Sequence, residues 1–335
     1  MSARRIAYLS FTDRGATLAE RLRAALGGTV SCTRQIENFS LSQWTAEAFA
    51  TFDALVFVGA VGIAVRAVAP FLKSKATDIA VVAVDECGRF AVPVVSGHLG
   101  GANDLAREIS KICGAVAVIT TATDINGLFA VDEWAKHQNC AVTDPHGIKV
   151  VSARILAGES VRVRSEWPVE GQCPAGVTLT DGPDWDVRVD VRRHEGGLCL
   201  APKALVLGVG CRRGTPRERL ETAFGELCAE QNLWPEAVYA AATIDLKAEE
   251  PGLLDFCAAH GWTLETYSAG ELRGAEGTFT SSAFVERTTG VDNVCERAAV
   301  RAAGGPLLTG KHAGNGVAMA LAWRPFRLDW RWKDG

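Results

Sequence analysis

Short apolar runs alternate with amphipathic stretches along the first 138 residues. RIAYLSF precedes ATLAERLRAAL, ALVFVG leads into AVGIAVRAVAPFL, DIAVVAV and RFAVPVV precede NDLAREISKIC, and AVAVITT precedes GLFAVDEWAKHQ. The apolar runs lack strict alternation, which suits strands covered on both faces. Strand–helix alternation of this kind predicts a three-layer α/β domain over 1–138. From 139 to 202 one helical piece, GIKVVSARILAG, is followed by short strand-like runs broken by Pro and Gly. That texture predicts a small α+β middle domain. Alternation resumes with ALVLGVG, AVYAAATI and GVAMALAW as strands and TPRERLETAFGELCAEQ, EPGLLDFCAAH and VCERAAVRAAG as helices. The first of these helices is expected to have Thr215 as N-cap and Pro216 at its first position. A C-terminal three-layer α/β/α domain over 203–326 follows. The ending WRPFRLDWRWKDG reads as a packed edge and a frayed end.

Composition changes this picture little. The 335 residues are 48% hydrophobic and 22% charged, with a formal net charge of −4. No basic excess marks a nucleic-acid or anionic-membrane partner. The longest apolar stretch, ALVFVGAVGIAVRAVAPFL, carries Arg66 and Pro70 and reads as strand then helix rather than a membrane span. In MSARRIAYLSFTDRG the apolar run is cut after Phe11, too soon for a secretory signal. Ten cysteines stand singly, without C-x-x-C or zinc-ligand spacing, as expected of reduced thiols. A soluble cytoplasmic protein is expected.

Candidate chemistry sits where strands give way to helices. In RFAVPVVSGHLGGANDLAREIS, Ser96, Gly97, Gly100 and Gly101 let a helix starting near Asn103 aim free amides at the loop mouth. His98 stands there as a group that exchanges protons near neutral pH. A glycine-rich turn with a solvent-facing histidine fits the same residues. FVGAVGIAVRAVAP repeats the design with Gly59, Gly62 and Arg66, or uses small residues only for tight packing. ITTATDINGLFAVDEWA places Thr121 and Asp124 after a strand, with Asp124 as an acid/base group or a cap. LGVGCRRGTP brings Gly208, Gly210, Cys211, Arg212 and Arg213 to an anion-binding loop or a solvated basic turn; Lys247 directly follows a strand, and Ser281 stands around a loop and helix start.

These segments resemble the cobalt-precorrin-5A hydrolase (CbiG) family of anaerobic cobalamin biosynthesis. The likeness is carried by FVGAVGIAVRAVAPFLKSKATDIAVVAVDECGRFAVPVVSGHLGGANDLA, then by LVLGVGCRRGT, ATIDLKAEEPGL and GVDNVCERAA. The last domain alone resembles the small CobE proteins. The resemblance implies hydrolytic opening of the δ-lactone of a ring-contracted cobalt tetrapyrrole, with loss of acetaldehyde. The substrate is then a polycarboxylate corrinoid that brings its own cobalt. No cofactor and no protein-bound metal are expected, and neighbouring pathway enzymes are possible partners. In this reading His98 takes a proton from the attacking water, or ligates the cobalt transiently. Loop amides from Gly97 to Gly101 hold the oxyanion or a substrate carboxylate, and Asp104 or Asp124 assists carbon–carbon cleavage. The alternative is a non-catalytic protein that binds and transfers the same corrinoid.

Overall fold

The computed structural model describes residues 4–74 and 77–331, and the chain divides into two compact units that meet at Glu133/Trp134. The frayed end expected after Arg331 lies outside the described residues. No helix among those described is long and apolar enough to cross a membrane.

The first unit holds one six-stranded sheet. Its strands are β1 (Ile6–Ser10), β2 (Thr29–Cys32), β3 (Ala54–Val58), β4 (Ala80–Val84), β5 (Phe90–Val95) and β6 (Val116–Ala117), in the order β2-β1-β3-β4-β5-β6. Strands β1, β3 and β4 are buried along their whole length, which is why their residues do not alternate. Helices α1 (Asp13–Leu26) and α4 (Ala102–Cys113) cover one face, setting Leu22, Leu105 and Ile109 against Tyr8, Val56 and Val82. Helices α2 (Leu41–Thr51) and α3 (Val61–Val68) cover the other, with Ala48, Ala64 and Val68 against Leu9, Phe57 and Val81. The predicted three layers are present. Helix α2 was not expected from the pattern: only Thr45 and Ala48 along it are fully buried, so its apolar stripe is narrow.

One strand reverses the polarity of the sheet. β1 to β4 are mutually parallel, β5 is antiparallel to β4, and β6 is parallel to β5. The β4–β5 turn is fastened by Asp85, whose carboxylate accepts the amides of Cys87, Arg89 and Phe90 at 2.9, 2.8 and 2.7 Å. Pro93 has no N–H to give the ladder, and the register slips beside it, between Val81 and Val82. The loops leaving β5 and β6 therefore share one sheet edge. The loops leaving β1, β3 and β4 share the opposite one.

After β6 come two short helices, α5 (Ala122–Ile125) and α6 (Val131–His137), the second running across the unit boundary. The second unit opens with β7 (Cys140–Val142) and α7 (Pro145–Leu156). Strands β8 (Val161–Ser165), β9 (Val169–Glu170), β10 (Val177–Leu179), β11 (Val187–Val189) and β12 (Leu198–Pro202) follow. β10-β8-β11-β12-β7 form a small mixed sheet, the α+β texture expected. The rest is an α/β/α sandwich on β13 (Leu205–Cys211), β14 (Val238–Ile244), β15 (Leu264–Tyr267), β16 (His312–Gly314) and β17 (Val317–Trp323), ordered β15-β14-β13-β17-β16. A last strand, β18 (Leu328–Asp329), pairs with β9. Helices α8 (Arg217–Glu230) and α9 (Pro251–His260) pack Leu220, Phe224, Leu253 and Phe256 on one face of the sandwich sheet. On the other lie α10 (Ala269–Arg273) and α12 (Cys295–Ala303), with α11 (Ala283–Thr289) between them in sequence.

Two expectations for this unit are corrected. Pro216, not Thr215, is the N-cap of α8; the buried Thr215 hydroxyl donates to the Arg212 carbonyl at 2.8 Å and closes the preceding turn instead. Gly208 is a packing position rather than a ligand contact, because a Cβ there would stand 1.8 Å from the Cys295 carbonyl oxygen of α12. Gly208→Ala is expected to cost ~1–3 kcal/mol as α12 lifts from the sheet. Urea denaturation reads this directly, and an unchanged midpoint would show that α12 is not seated so closely.

Candidate functional site

The site grows out of the loop that ends β5. Ser96 takes a left-handed φ of +56°, turning the chain back on itself. Three carbonyls then accept the amides of the helix start: Ser96 from Ala102 at 3.0 Å, Gly97 from Asn103 at 2.9 Å, and His98 from Gly101 at 2.9 Å. Those amides were expected to face an oxyanion, and the loop uses them for its own closure. Gly97 and Gly100 are required by space. A Cβ on Gly97 would meet Asn103 Oδ1 at 2.8 Å, and one on Gly100 would meet Ser96 Cβ at 2.3 Å. Closed this way, the loop presents the His98 side chain, which is 12% exposed.

Both nitrogens of His98 face carboxylates. Nδ1 lies 3.1 Å from each oxygen of Asp132, and Nε2 lies 2.8 Å from Asp124 Oδ2. An ionised carboxylate only accepts, so both nitrogens carry protons and the ring is an imidazolium. Burial alone would lower its pKa; the hydrogen bonds to Asp124 and Asp132, with the charges of Asp132 and Glu133, outweigh burial and lift it to about 10. The expected roles of His98 as a resting base or a cobalt ligand fail on this geometry, since neither nitrogen has a free lone pair. What the ring offers is a proton.

Asp124 is an anchor. Its Oδ2 also accepts from Asn103 Nδ2 at 3.0 Å and from the Thr121 hydroxyl, while Oδ1 accepts from Arg107 Nη2 at 2.6 Å. Donors from four residues on its two oxygens make it the acceptor that fixes the His98 ring. Thr121, not Asp124, is the N-cap of α5, without a side-chain capping bond. Arg107 reaches Asp104 at 3.0 Å and Glu133 Oε1 at 3.2 Å, so one guanidinium holds three carboxylates. Glu133 is fully buried, and its Oε2 has no partner among the described residues. Burial first, then the charge of Asp124, raise the pKa of Glu133, against the pull of His98 and Arg107. The Ser96 hydroxyl is a second buried oxygen without a partner.

Four carboxylates thus surround two cations. With every acid ionised these six groups alone make the cluster formally net negative by two charges, before Lys136 and His137 next along the chain are counted. It is suited to moving protons. Ligand atoms of His98, Asp124 and Glu133 lie within 4.8 Å of one another, a spacing a metal ion could use. Here the Nε2 proton and the Arg107 guanidinium supply the positive charge that a metal would bring.

Asp132, Glu133 and Arg107 were not singled out in the sequence. The legible signal was an acidic pair inside the apolar run of Phe129, Ala130 and Val131, all buried. Gly59, Gly62 and Arg66 do not join the cluster, because their loop leaves β3 at the opposite edge of the sheet. A Cβ on Gly59 would meet the Phe11 ring at 2.8 Å, Gly62 faces open space, and Arg66 is exposed on α3.

The basic loop belongs to the second unit. Arg212 and Arg213 are exposed after β13 and make no ion pair among the described residues. Glu250 braces the loop, accepting from Gly214 N at 2.6 Å and from Lys247 Nζ at 2.7 Å. Lys247, expected to bind substrate, is thereby committed to that brace. Burial raises the pKa of the Cys211 thiol, which excludes a resting thiolate. A Cβ on Gly210 would meet nothing closer than 3.8 Å. Ser281 is exposed in a loop that Glu296 ties down, by accepting the amides of Thr280 at 2.6 Å and Lys311 at 2.7 Å.

Comparison with known proteins runs along the whole chain. Residues 43–124 match the family "Cobalamin synthesis G N-terminal", 129–206 "Cobalamin biosynthesis central region", and 205–322 "Cobalamin synthesis G C-terminus". The cobalt-precorrin-5A hydrolase of Salmonella typhimurium is 35% identical over 94% of this chain and 97% of its own. That of Priestia megaterium is 33% identical over 83% and 80%. The protein CobE of a Sinorhizobium species is 30% identical over 33% of this chain and 73% of its own. The chain belongs to the cobalamin synthesis G (CbiG) family, that of the cobalt-precorrin-5A hydrolases.

Proposed function

We propose that the chain hydrolyses cobalt-precorrin-5A, opening its δ-lactone and releasing acetaldehyde. Support comes from the near full-length likeness to the Salmonella enzyme and, within this structure, from one observation: a histidine held protonated between two carboxylates at a loop mouth. In the first step water adds to the lactone carbonyl and loses a proton to Glu133 Oε2, the buried oxygen left without a partner. The alkoxide leaving group takes a proton from His98, giving a carboxyl group and a secondary alcohol. The alcohol then returns its proton to the cluster as its carbon–carbon bond breaks. Acetaldehyde leaves, and the electron pair stays on the ring carbon, which is protonated. Cobalt travels with the substrate, its ring system accepting charge from the breaking bond, and the protein needs no cofactor of its own. The ten cysteines are all free thiols, in keeping with a cytoplasmic setting beside the neighbouring enzymes of the pathway.

The test is anaerobic incubation of purified protein with cobalt-precorrin-5A, following colour and volatile aldehyde together. Aldehyde released in step with the colour change is expected. Corrinoid binding without aldehyde would favour a transfer protein instead. Carboxylate arms of the substrate are assigned to Arg212 and Arg213, the exposed cations of the second unit. The double variant Arg212→Ala, Arg213→Ala should bind corrinoid about tenfold more weakly at low salt, with the difference shrinking as salt screens the pairs. Equal affinity at low salt would remove both arginines from binding.

A further inference from the structure

Arg212 and Arg213 stand side by side after β13, both exposed and both without an ion pair among the described residues, yet the chain holds them differently. Arg212 continues the ladder between β13 and β17. Its amide donates to the Gly316 carbonyl at 3.0 Å, one position beyond the Cys211–Val317 pair. Its own carbonyl accepts the hydroxyl of the buried Thr215 at 2.8 Å. The side chain then lies over Gly316: a Cβ on that glycine would stand 2.9 Å from Arg212 Cδ and 3.1 Å from Nε. No hydrogen bond or glycine cradle seats Arg213 in this way among the described residues. Its charge falls on Glu250, which is held below the usual carboxylate range first by the bond from Lys247 and also by Arg213.

The turn by itself favours glycine at 316 without requiring it. Asn315 and Gly316 link β16 to β17 as a two-residue hairpin turn with both φ values positive, +52° and +81°. Asparagine tolerates that region, as Asn315 shows beside it. What only glycine supplies is room for the arginine stem. A guanidinium seated at its stem keeps its fork in one orientation and loses less freedom when it binds. Two parallel N–H···O bonds then match a carboxylate but not an amide, which offers one oxygen and turns its own N–H groups against the donors. We infer that Arg212, positioned by Gly316, reads one carboxylate arm of the corrinoid by geometry, whereas Arg213 contributes charge alone. The inference rests on the proposed function for the class of molecule bound. It makes Arg212 the residue that tells a free-acid corrinoid from one with amidated arms.

The probes are two cobalt corrinoids, cobyrinic acid with free carboxylate arms and cobinamide with amide arms, each measured against the full-length protein by equilibrium dialysis. The wild type should prefer cobyrinic acid. Arg212→Lys keeps the charge and removes the fork. It should weaken cobyrinic acid binding about fivefold, the worth of roughly one hydrogen bond, and leave cobinamide unchanged. Arg213→Lys should change neither. Gly316→Asn keeps a residue that accepts positive φ and displaces the stem, so it should match Arg212→Lys with every charge in place. Joined in one chain, the two substitutions should cost no more than Arg212→Lys alone. Circular dichroism checks the fold of Gly316→Asn, and the two lysine variants decide the question without it. Equal losses in the two lysine variants, wild-type binding by folded Gly316→Asn, additive losses in the pair, or no cobyrinic acid binding at all would each overturn the inference. Dialysis needs no turnover, so the two ideas fail separately. Aldehyde release with interchangeable arginines leaves the hydrolase and sinks the assignment of Arg212, and a selective Arg212 without aldehyde does the reverse.

Discussion

Replacing His98 with glutamine is expected to lower acetaldehyde release by ~10²–10⁴-fold, the usual worth of a positioned proton donor. Corrinoid binding should persist, because the charged arms are assigned to the other unit. Glutamine matches the imidazole roughly in size but has no charge, and its amide cannot give a proton to an alkoxide. It also leaves Asp124 and Asp132 without their shared cation, and breaking a buried pair in this way costs about 3–5 kcal/mol. A double variant, His98→Gln with Asp132→Asn, should recover part of that stability and none of the activity, which separates lost chemistry from lost folding. The sign of the pH dependence follows from the raised pKa. The folded value of about 10 lies above the ordinary 6.5, so the stability contributed by the charged ring is fully present below pH 6.5 and disappears as pH rises through 10. The wild type should therefore weaken across that window, and His98→Gln should flatten the decline. Turnover by His98→Gln at the wild-type rate would remove the ring from the mechanism.

Arg107→Met should be the most damaging change to stability in the first unit, with a loss of about 3–5 kcal/mol near neutral pH. The methionine keeps most of the side-chain bulk and removes the one guanidinium that holds Asp104, Asp124 and Glu133. Those acids would then repel one another in a partly buried place, and Glu133, whose pKa burial already raises, would lose the guanidinium that pulls it down and rise further. A group whose pKa is higher in the folded state stabilises the fold as it takes up its proton. The variant should consequently regain stability as pH falls, in the direction opposite to ordinary acid denaturation. Urea midpoints for variant and wild type at about pH 8 and about pH 5 decide the matter, pH values that bracket the raised carboxylate range. An equal deficit at both would mean that Arg107 acts by packing alone.

Much of the scaffold could be read from the chain because burial leaves a one-dimensional trace. β1, β3 and β4 are continuous apolar runs, and the helices that cover them show their spacing. The reversal at β5 leaves no such trace in the runs themselves. It was legible only in the linker: a parallel crossover needs a dozen or more residues, and the few between Val84 and Phe90 can make nothing but a tight turn. Without it, the loops of Arg66 and His98 read as two copies of one design. The histidine was visible because glycine surrounds it. Of its partners Asp124 stood out after a strand, but Asp132 and Glu133, 34 and 35 positions beyond the histidine, look like ordinary helix surface. What turns them inward is the shared edge of β5 and β6, a property of the sheet and not of any short window of sequence.

His98, Asp104, Arg107, Asp124, Asp132 and Glu133 lie on one continuous piece of chain. Arg212 and Arg213 lie far downstream, in the segment that matches the family's C-terminal model over 205–322. A reactive centre inherited in a single segment can be joined to, or parted from, a binding module without being rebuilt. That is the layout a gene fusion leaves behind, and it allows the two halves to have had separate histories before they shared a reading frame.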